Sequence, residues 1–458
     1  MIEMKKTLFI LSLLSMFFLS GCDSNSQVLS TAISPIKESG HTEQLHDYDS
    51  PYTICYKNKD GTYSMYIFAS PIQYKTDSDE YAIIDNTVID SSKMGFAFEN
   101  KANNIKTYFP KTLSQLFKVE KGADYLEFKP DWDVNSFSEA KRIIFTNMYG
   151  DKVSAVIYES KEMDLAFYPT KTGIKIEIIL KEKTDCKGFA FMVKSSAASC
   201  ENKQNGYVLF KGGGENQSII YGPLVKYTAD NGTHFDVTTQ MKINKDEDDY
   251  QVEMIINEDI IGNTKTRYPV KLDPSFEMYE NKMPDSTVYS DHVVNNYLGN
   301  YAVVGKHPVL GEGWHYLRLR LNYILYTKDE NIIYSAYYMK KFFSIPASNE
   351  IFMHQAKEQW SSTRLSWFDR VDSDDIISKI HNSEKGYCSF EITDFVQECV
   401  NDTSWETESI GVLLKGAGSA YHILSTSDNT MYSPYIKLIL SKMPRRFEPK
   451  NDINEPLF

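Results

Sequence analysis

Tryptophan and cysteine are both scarce in these 458 residues, 5 and 6 in all, and no Cys-x-x-Cys pair occurs. That argues against a disulfide scaffold or a thiolate zinc site. Basic residues are outnumbered, since 49 Lys and Arg against 62 Asp and Glu leave a formal charge of -13. A protein that neutralises phosphates needs a basic face, and no Lys/Arg cluster supplies one, so no nucleic-acid partner is expected. The 9 His lack metal-ligand spacing such as His-Glu-x-x-His, and neither a metal nor a cofactor is expected. Gly212-Gly213-Gly214 lacks the Lys-Ser/Thr of a phosphate loop and reads as a hairpin or loop. Asp246-Glu247-Asp248-Asp249 lacks the glycine-punctuated calcium pattern and reads as a solvated loop. With no nucleophile elbow either, the chain is expected not to be an enzyme. Two glycosidase carboxylates far apart in sequence would escape such a scan.

What is abundant is strand-forming: 31 Tyr, 25 Phe and 42% hydrophobic residues. Short apolar runs follow one another from Tyr52 onward without helical segments between them, which predicts an all-β chain with antiparallel pairing. Ile174-Lys175-Ile176-Glu177-Ile178 keeps strict period two, the pattern of a half-buried strand. Phe390-Glu391-Ile392 reads as a strand running into a short helix capped by Thr393 or Asp394, with Phe395, Val396, Cys399 and Val400 as its apolar stripe. Ile410–Leu414 then reads as the next strand.

The first 22 residues form an address label. Lys5 and Lys6 precede an apolar run from Leu8 to Leu19 that is too short for an ordinary spanning helix. Leu19-Ser20-Gly21-Cys22 closes it and resembles the lipobox of bacterial lipoproteins. That likeness implies cleavage before Cys22, lipidation of Cys22, and a lipid-anchored protein facing outside the cytoplasm. Residues 23–50 read as a flexible tether, 51–275 as a strand-rich N-terminal β region, 284–441 as a second β unit, and 442–458 as a tail. Tyr268-Pro269-Val270-Lys271-Leu272-Asp273-Pro274 reads as a stiff extended connection between the two units, each expected to fold alone. Cys55, Cys186, Cys200, Cys388 and Cys399 are an odd set that cannot all pair; Cys186 and Cys200 flank a hairpin and could meet, while most read as small buried hydrophobes.

The second unit carries, in order, Asp285-Ser286-Thr287-Val288, Asn296-Tyr297-Leu298-Gly299, Leu317-Arg318-Leu319-Arg320-Leu321, Ser335-Ala336, Trp360 and Trp367, Phe390-Glu391-Ile392-Thr393-Asp394, Gly411-Val412-Leu413-Leu414, and Ser433-Pro434-Tyr435-Ile436. This series resembles the DNRLRE domain, also grouped with carbohydrate-binding module family 96. It departs from that family at Cys399, where Trp is common, and after Trp367, where Phe-Asp-Arg replaces Asn-Asn-Gln-Pro. The resemblance implies a C-terminal jelly-roll β-sandwich of carbohydrate-binding type. Two functions follow: binding of polysaccharide at the cell surface, or a structural scaffold for surface protein partners.

Sugar binding needs flat aromatic faces for the ring and polar groups for its hydroxyls. On a strand, Trp314, Tyr316, Arg318 and Arg320 share one face and His315, Leu317, Leu319 and Leu321 the other. The leucine face is expected to be core, which makes Trp314, Tyr316, Arg318 and Arg320 the candidate ligand-binding residues, on an outward face. Trp360 and Trp367 read as packing residues.

Overall fold

The computed structural model describes residues 38–443, apart from 149, 185–187, 204–206, 212–216, 223–224, 230–231, 237–238, 247–248, 257, 262–263, 280–284, 297–300, 309, 320–330, 346–350, 359, 361–364, 383–385, 402–409, 428 and 430–431. Strand accounts for 62% and helix for 5%, so the all-β expectation holds, and the strand pairings among the described residues are antiparallel. No helix among them is long and apolar enough to cross a membrane. Cys22 and Cys186 lie outside the described residues. Cys200 is a free, half-buried thiol, Cys55 and Cys388 are free and buried, and Cys399 is buried too, as small hydrophobes in a core are.

The first sandwich packs an 8-stranded sheet on an 11-stranded one. Alternate residues of strands such as Asp124–Pro130 and Met163–Pro169 point inward, and the core they build is unusually aromatic. Phe117 stacks on Phe167 at 4.1 Å, and Phe128 on Phe276 at 3.8 Å. Strand Gly173–Leu180 confirms the period-two reading in backbone but not in environment. Lys175 and Glu177 are buried, because their face meets the second sandwich rather than water. Residues 267–274 are likewise no connection: Arg267–Leu272 is a strand of the same sheet, and Asp273 is buried against Lys175 at 2.9 Å. Ser275–Tyr279 pairs with Gly173–Leu180 too, so the first sandwich extends through residue 279.

The second sandwich folds one 15-stranded sheet onto itself. Its hinge is the strand Ile332–Ile345, long enough at 14 residues to serve both layers. Its first part pairs with Tyr387–Glu391 and Tyr435–Leu440; from Lys341 onward it pairs with Tyr421–Ser425, with a register shift between Lys341 and Phe343. Between the layers lie Ile436, Leu438, Met339 and Phe390 from one side, and Leu317, Leu319, Val412 and Leu414 from the other. The helix Thr393–Asn401 closes this core with Phe395, Val396 and Cys399, as its apolar stripe requires. Its start differs from expectation. The Thr393 hydroxyl does not cap the helix but accepts from the Ser335 amide at 3.0 Å, tying the helix to the hinge strand.

The largest departure is at the N-terminus. His41–Gln44 is a strand, so the tether reading fails for residues 41–50. Strands Thr53–Asn58 and Tyr63–Phe68 join the second sandwich, with Tyr63–Phe68 hydrogen-bonded along the full length of Tyr435–Leu440. Cys55, Met65 and Ile67 are part of its core. A boundary at residue 51 therefore does not describe the fold: the second sandwich is completed by residues from the beginning of the chain. Alternating apolar residues announce a strand but not which distant edge it will fill.

Candidate functional site

The second sandwich has two outer faces, and both are aromatic. On the strand Gly311–Leu319 the alternation holds: Leu317 and Leu319 enter the core, while Trp314 and Tyr316 point outward from it. Outward is not exposed, however. Trp314 is 9% and Tyr316 0% exposed, because Trp360, Leu365, Trp367 and Val371 pack over them. The Tyr316 hydroxyl donates to the Val371 carbonyl at 2.6 Å, and its ring meets Trp360 edge-on at 5.5 Å. Trp314 donates from Nε1 to Glu312 at 3.0 Å and lies 5.1 Å from Trp367. The Lys415 ammonium sits 3.7 Å from the Trp314 ring, and the Arg370 guanidinium lies within 4.8 Å of both indoles. Arg318 donates to the Trp360 carbonyl. Gly411 permits this closure, since a Cβ there would stand 2.7 Å from the Trp360 Nε1.

The candidate residues Trp314, Tyr316 and Arg318 are thus the underside of a packed strap and not an open platform. Arg320 lies outside the described residues. The physical reason is that period-two alternation separates two faces but says nothing about what covers either. The remainder of this outer face is covered by the first sandwich. Met148 packs among Tyr289, Tyr301, Val303, Tyr421 and Ile423, and the buried Lys175 ammonium reaches the Tyr301 hydroxyl at 2.8 Å. Behind it, Glu177 accepts from the Met148 amide at 2.5 Å and pairs with Lys271 at 3.3 Å.

The opposite outer face is different. Cross-strand register places Phe68, Tyr435, Tyr338 and Ser389 in one row, with Lys340 and Tyr387 in a second and Tyr66, Lys437, Ala336 and Glu391 in a third. One end is roofed: Ile72 and Ile83 cover Phe68, and His41 stacks on Tyr56 at 4.3 Å. Beyond that roof Tyr334, Tyr338, Tyr387 and Tyr435 are half-buried. Tyr338 and Tyr435 are stacked 8° from parallel at 4.8 Å, and Tyr387 leans on Tyr435 at 5.8 Å. Tyr334 and Tyr338 bring their hydroxyls to 3.5 Å. Partial burial raises the pKa of the Tyr338, Tyr387 and Tyr435 phenols, so all three stay protonated and can donate.

Both lysines on this face have carboxylate partners. Lys437 meets Glu38 at 2.5 Å, and Lys340 meets Asp151 of the first sandwich at 3.6 Å while lying 5.0 Å from the Tyr432 ring. These residues were absent from the sequence-level candidates. The signal was present in Tyr334 and Tyr338, an even number apart on one strand, and in Tyr435 and Tyr387, each next to a core position. What was missing was the pairing that gathers three distant segments into one surface.

A shallower concavity of about 430 Å³ on the first sandwich is lined by Ser114, Gln115, Leu116, Lys129, Met192, Lys194 and Asp249, with Lys194 and Asp249 paired at 3.1 Å. Among the described residues no cluster of three His, Cys, Asp or Glu is arranged to hold a metal.

No family model matches the chain. No curated protein matches it either. Among solved structures, the N-terminal domain of the Streptococcus gordonii adhesin Sgo0707 aligns over 77% of this chain and 91% of its own at 8% identity, with a TM-score of 0.15.

Proposed function

We propose that this protein is a non-catalytic lipoprotein of the cell surface, anchored through Cys22, whose second sandwich binds polysaccharide on the tyrosine face. The observation that carries the reading is the pair of half-buried, near-parallel rings of Tyr338 and Tyr435, flanked by Tyr334 and Tyr387. A flat aromatic surface suits the apolar CH face of a sugar, and protonated phenols at its rim suit the sugar's hydroxyls. The resemblance of the second unit to carbohydrate-binding modules points the same way, and the lipobox supports display outside the cytoplasm.

The test is affinity electrophoresis of the whole mature chain through gels containing polysaccharide. Tyr338→Ala should weaken retardation by on the order of 1 kcal/mol, as for one aromatic contact, and lower unfolding stability by no more than about 1 kcal/mol. Retardation of parent and variant to the same extent would remove the tyrosine face as the site. Membrane fractionation of Cys22→Ser tests the anchor: the variant should appear in the soluble fraction, and full membrane retention would refute it.

A second reading is a scaffold for surface proteins. It takes the lead if no polysaccharide retards the parent.

A further inference from the structure

We infer that the tyrosine face is built for an uncharged polysaccharide and not for an acidic one, an inference that rests on the polysaccharide-binding reading above. Recognition of a uronate or a sulfated sugar needs cations whose charge is available to the ligand. The two lysines on this face are already engaged. Lys437, its side chain 13% exposed, is held by Glu38 at 2.5 Å, and Lys340, 15% exposed, lies by Asp151 at 3.6 Å and beneath the Tyr387 and Tyr432 rings.

No arginine reaches the face from the described strands of this layer, whose sequences are HTEQ, TICYKN, YSMYIF, YSAYYMK (the outer part of the hinge strand), HN, YCSFE and YIKLIL. Glu391 adds a third carboxylate in the row of Lys437 and Ala336. Two positive charges, Lys340 and Lys437, against three negative ones, Glu38, Asp151 and Glu391, leave the surface at -1, within a chain of formal charge -13. A polyanion would be repelled.

What the face does offer is neutral. Phenolic hydroxyls both donate and accept, and so match the alternating donor and acceptor character of sugar hydroxyls. The stack of Tyr338 on Tyr435 adds apolar aromatic carbon to meet a pyranose CH face. The pairing of Lys437 also has a structural partner in the recognition surface: Glu38 accepts from the Tyr66 hydroxyl at 3.1 Å, so the same carboxylate neutralises the lysine and fixes a ring beside Tyr435.

The experiment runs the mature chain through gels containing uncharged polysaccharides (laminarin, xylan, glucomannan) and acidic ones (alginate, polygalacturonate). At least one uncharged polymer should retard it, and about 1 M NaCl, which shortens the Debye length to about 3 Å, should leave that retardation unchanged. Glu38→Gln keeps a hydrogen-bond acceptor for Tyr66 but frees the charge of Lys437; this variant should gain salt-sensitive retardation by alginate, at least threefold over the parent. Retardation of the parent by acidic polymers alone, abolished by salt, would overturn the uncharged-ligand inference while leaving polysaccharide binding intact. A Glu38→Gln protein that ignores alginate would overturn its electrostatic basis. Failure of every polymer to retard the parent would overturn the binding reading and this inference together.

Discussion

The two outer faces of the second sandwich start from the same material and end in opposite states. Each is a row of aromatic residues alternating with core positions: Trp314 and Tyr316 on one, Tyr435 with Tyr338 on the other. The first is roofed by the strap carrying Trp360, Leu365, Trp367 and Val371 and by the first sandwich through Met148. The second is roofed by Ile72 and Ile83 at one end and bounded at the other by Asp151 and Tyr432 beside Lys340, which leaves Tyr338 and Tyr435 half-buried between them. Aromatic content does not distinguish a buried packing surface from a binding platform; what is laid over it does.

Removing the N-terminal strands should break the comparison most severely. A fragment of residues 284–441 lacks Met65 and Ile67 from its core and one of the two ladder partners of Tyr435–Leu440, keeping only Ile332–Ile345. Burial of two such side chains is worth roughly 3–6 kcal/mol, a large part of the roughly 5–15 kcal/mol that holds a domain together. The fragment should therefore show no cooperative urea transition by circular dichroism, whereas a chain beginning at residue 38 should. A fragment that unfolds cooperatively on its own would mean that these strands are an accessory and not a part of the sandwich.

Next in size is the contrast between equivalent truncations on the two faces. Trp314→Ala empties a site surrounded by Trp367, Arg370 and Lys415 and should lower unfolding stability by about 3–5 kcal/mol. Tyr338→Ala, on the half-buried face, should cost about 1 kcal/mol while weakening ligand binding. Chemical denaturation of the two variants decides it: equal costs would mean that the faces are equally covered.

That contrast shows how far the sequence could be read. Leucine alternation at Leu317 and Leu319 identified the inward side of their strand correctly, because side-chain parity is a local property of the backbone. The cover over Trp314 comes from a segment more than 40 residues away, as with Arg318 and Trp360, and no local pattern encodes it. Lys175 and Glu177 misled for the same reason, since a polar face buried against another polar face has the period of one in water. The tyrosine face was legible only in pieces, its rows assembled from strands that include both Phe68 and Tyr435.

A smaller effect separates the regions by pH. At the covered face, burial pushes the Glu177 carboxyl up to about 7, opposed by Lys271 and the Met148 amide and reinforced by Asp273. The folded state therefore holds a proton that the unfolded chain releases near 4.5. The stability linked to it is complete below that value and is lost as pH rises through about 7. Between about pH 6 and pH 8 the loss should be on the order of 1 kcal/mol, and Glu177→Gln should flatten it. Burial works in the other direction on His315, depressed to about 3, and on His307 and His422, depressed to about 4. Their contribution is present above the unfolded value of 6.5 and lost as pH falls towards those folded values. Urea midpoints measured across this range should fall on both sides. An alkaline limb that survives Glu177→Gln would assign the effect to another group.

Hydroxyl-radical footprinting of the whole chain, with and without a polysaccharide that retards it, tests the central claim most directly, because it reads both aromatic faces in one sample. Tyr338 and Tyr435 should oxidise in the free protein and become protected when the polysaccharide is bound, while Trp314 and Tyr316 remain nearly unreactive in both states. Protection confined to Trp367 and its neighbours, or ready oxidation of Trp314 and Tyr316 in the free protein, would contradict the account.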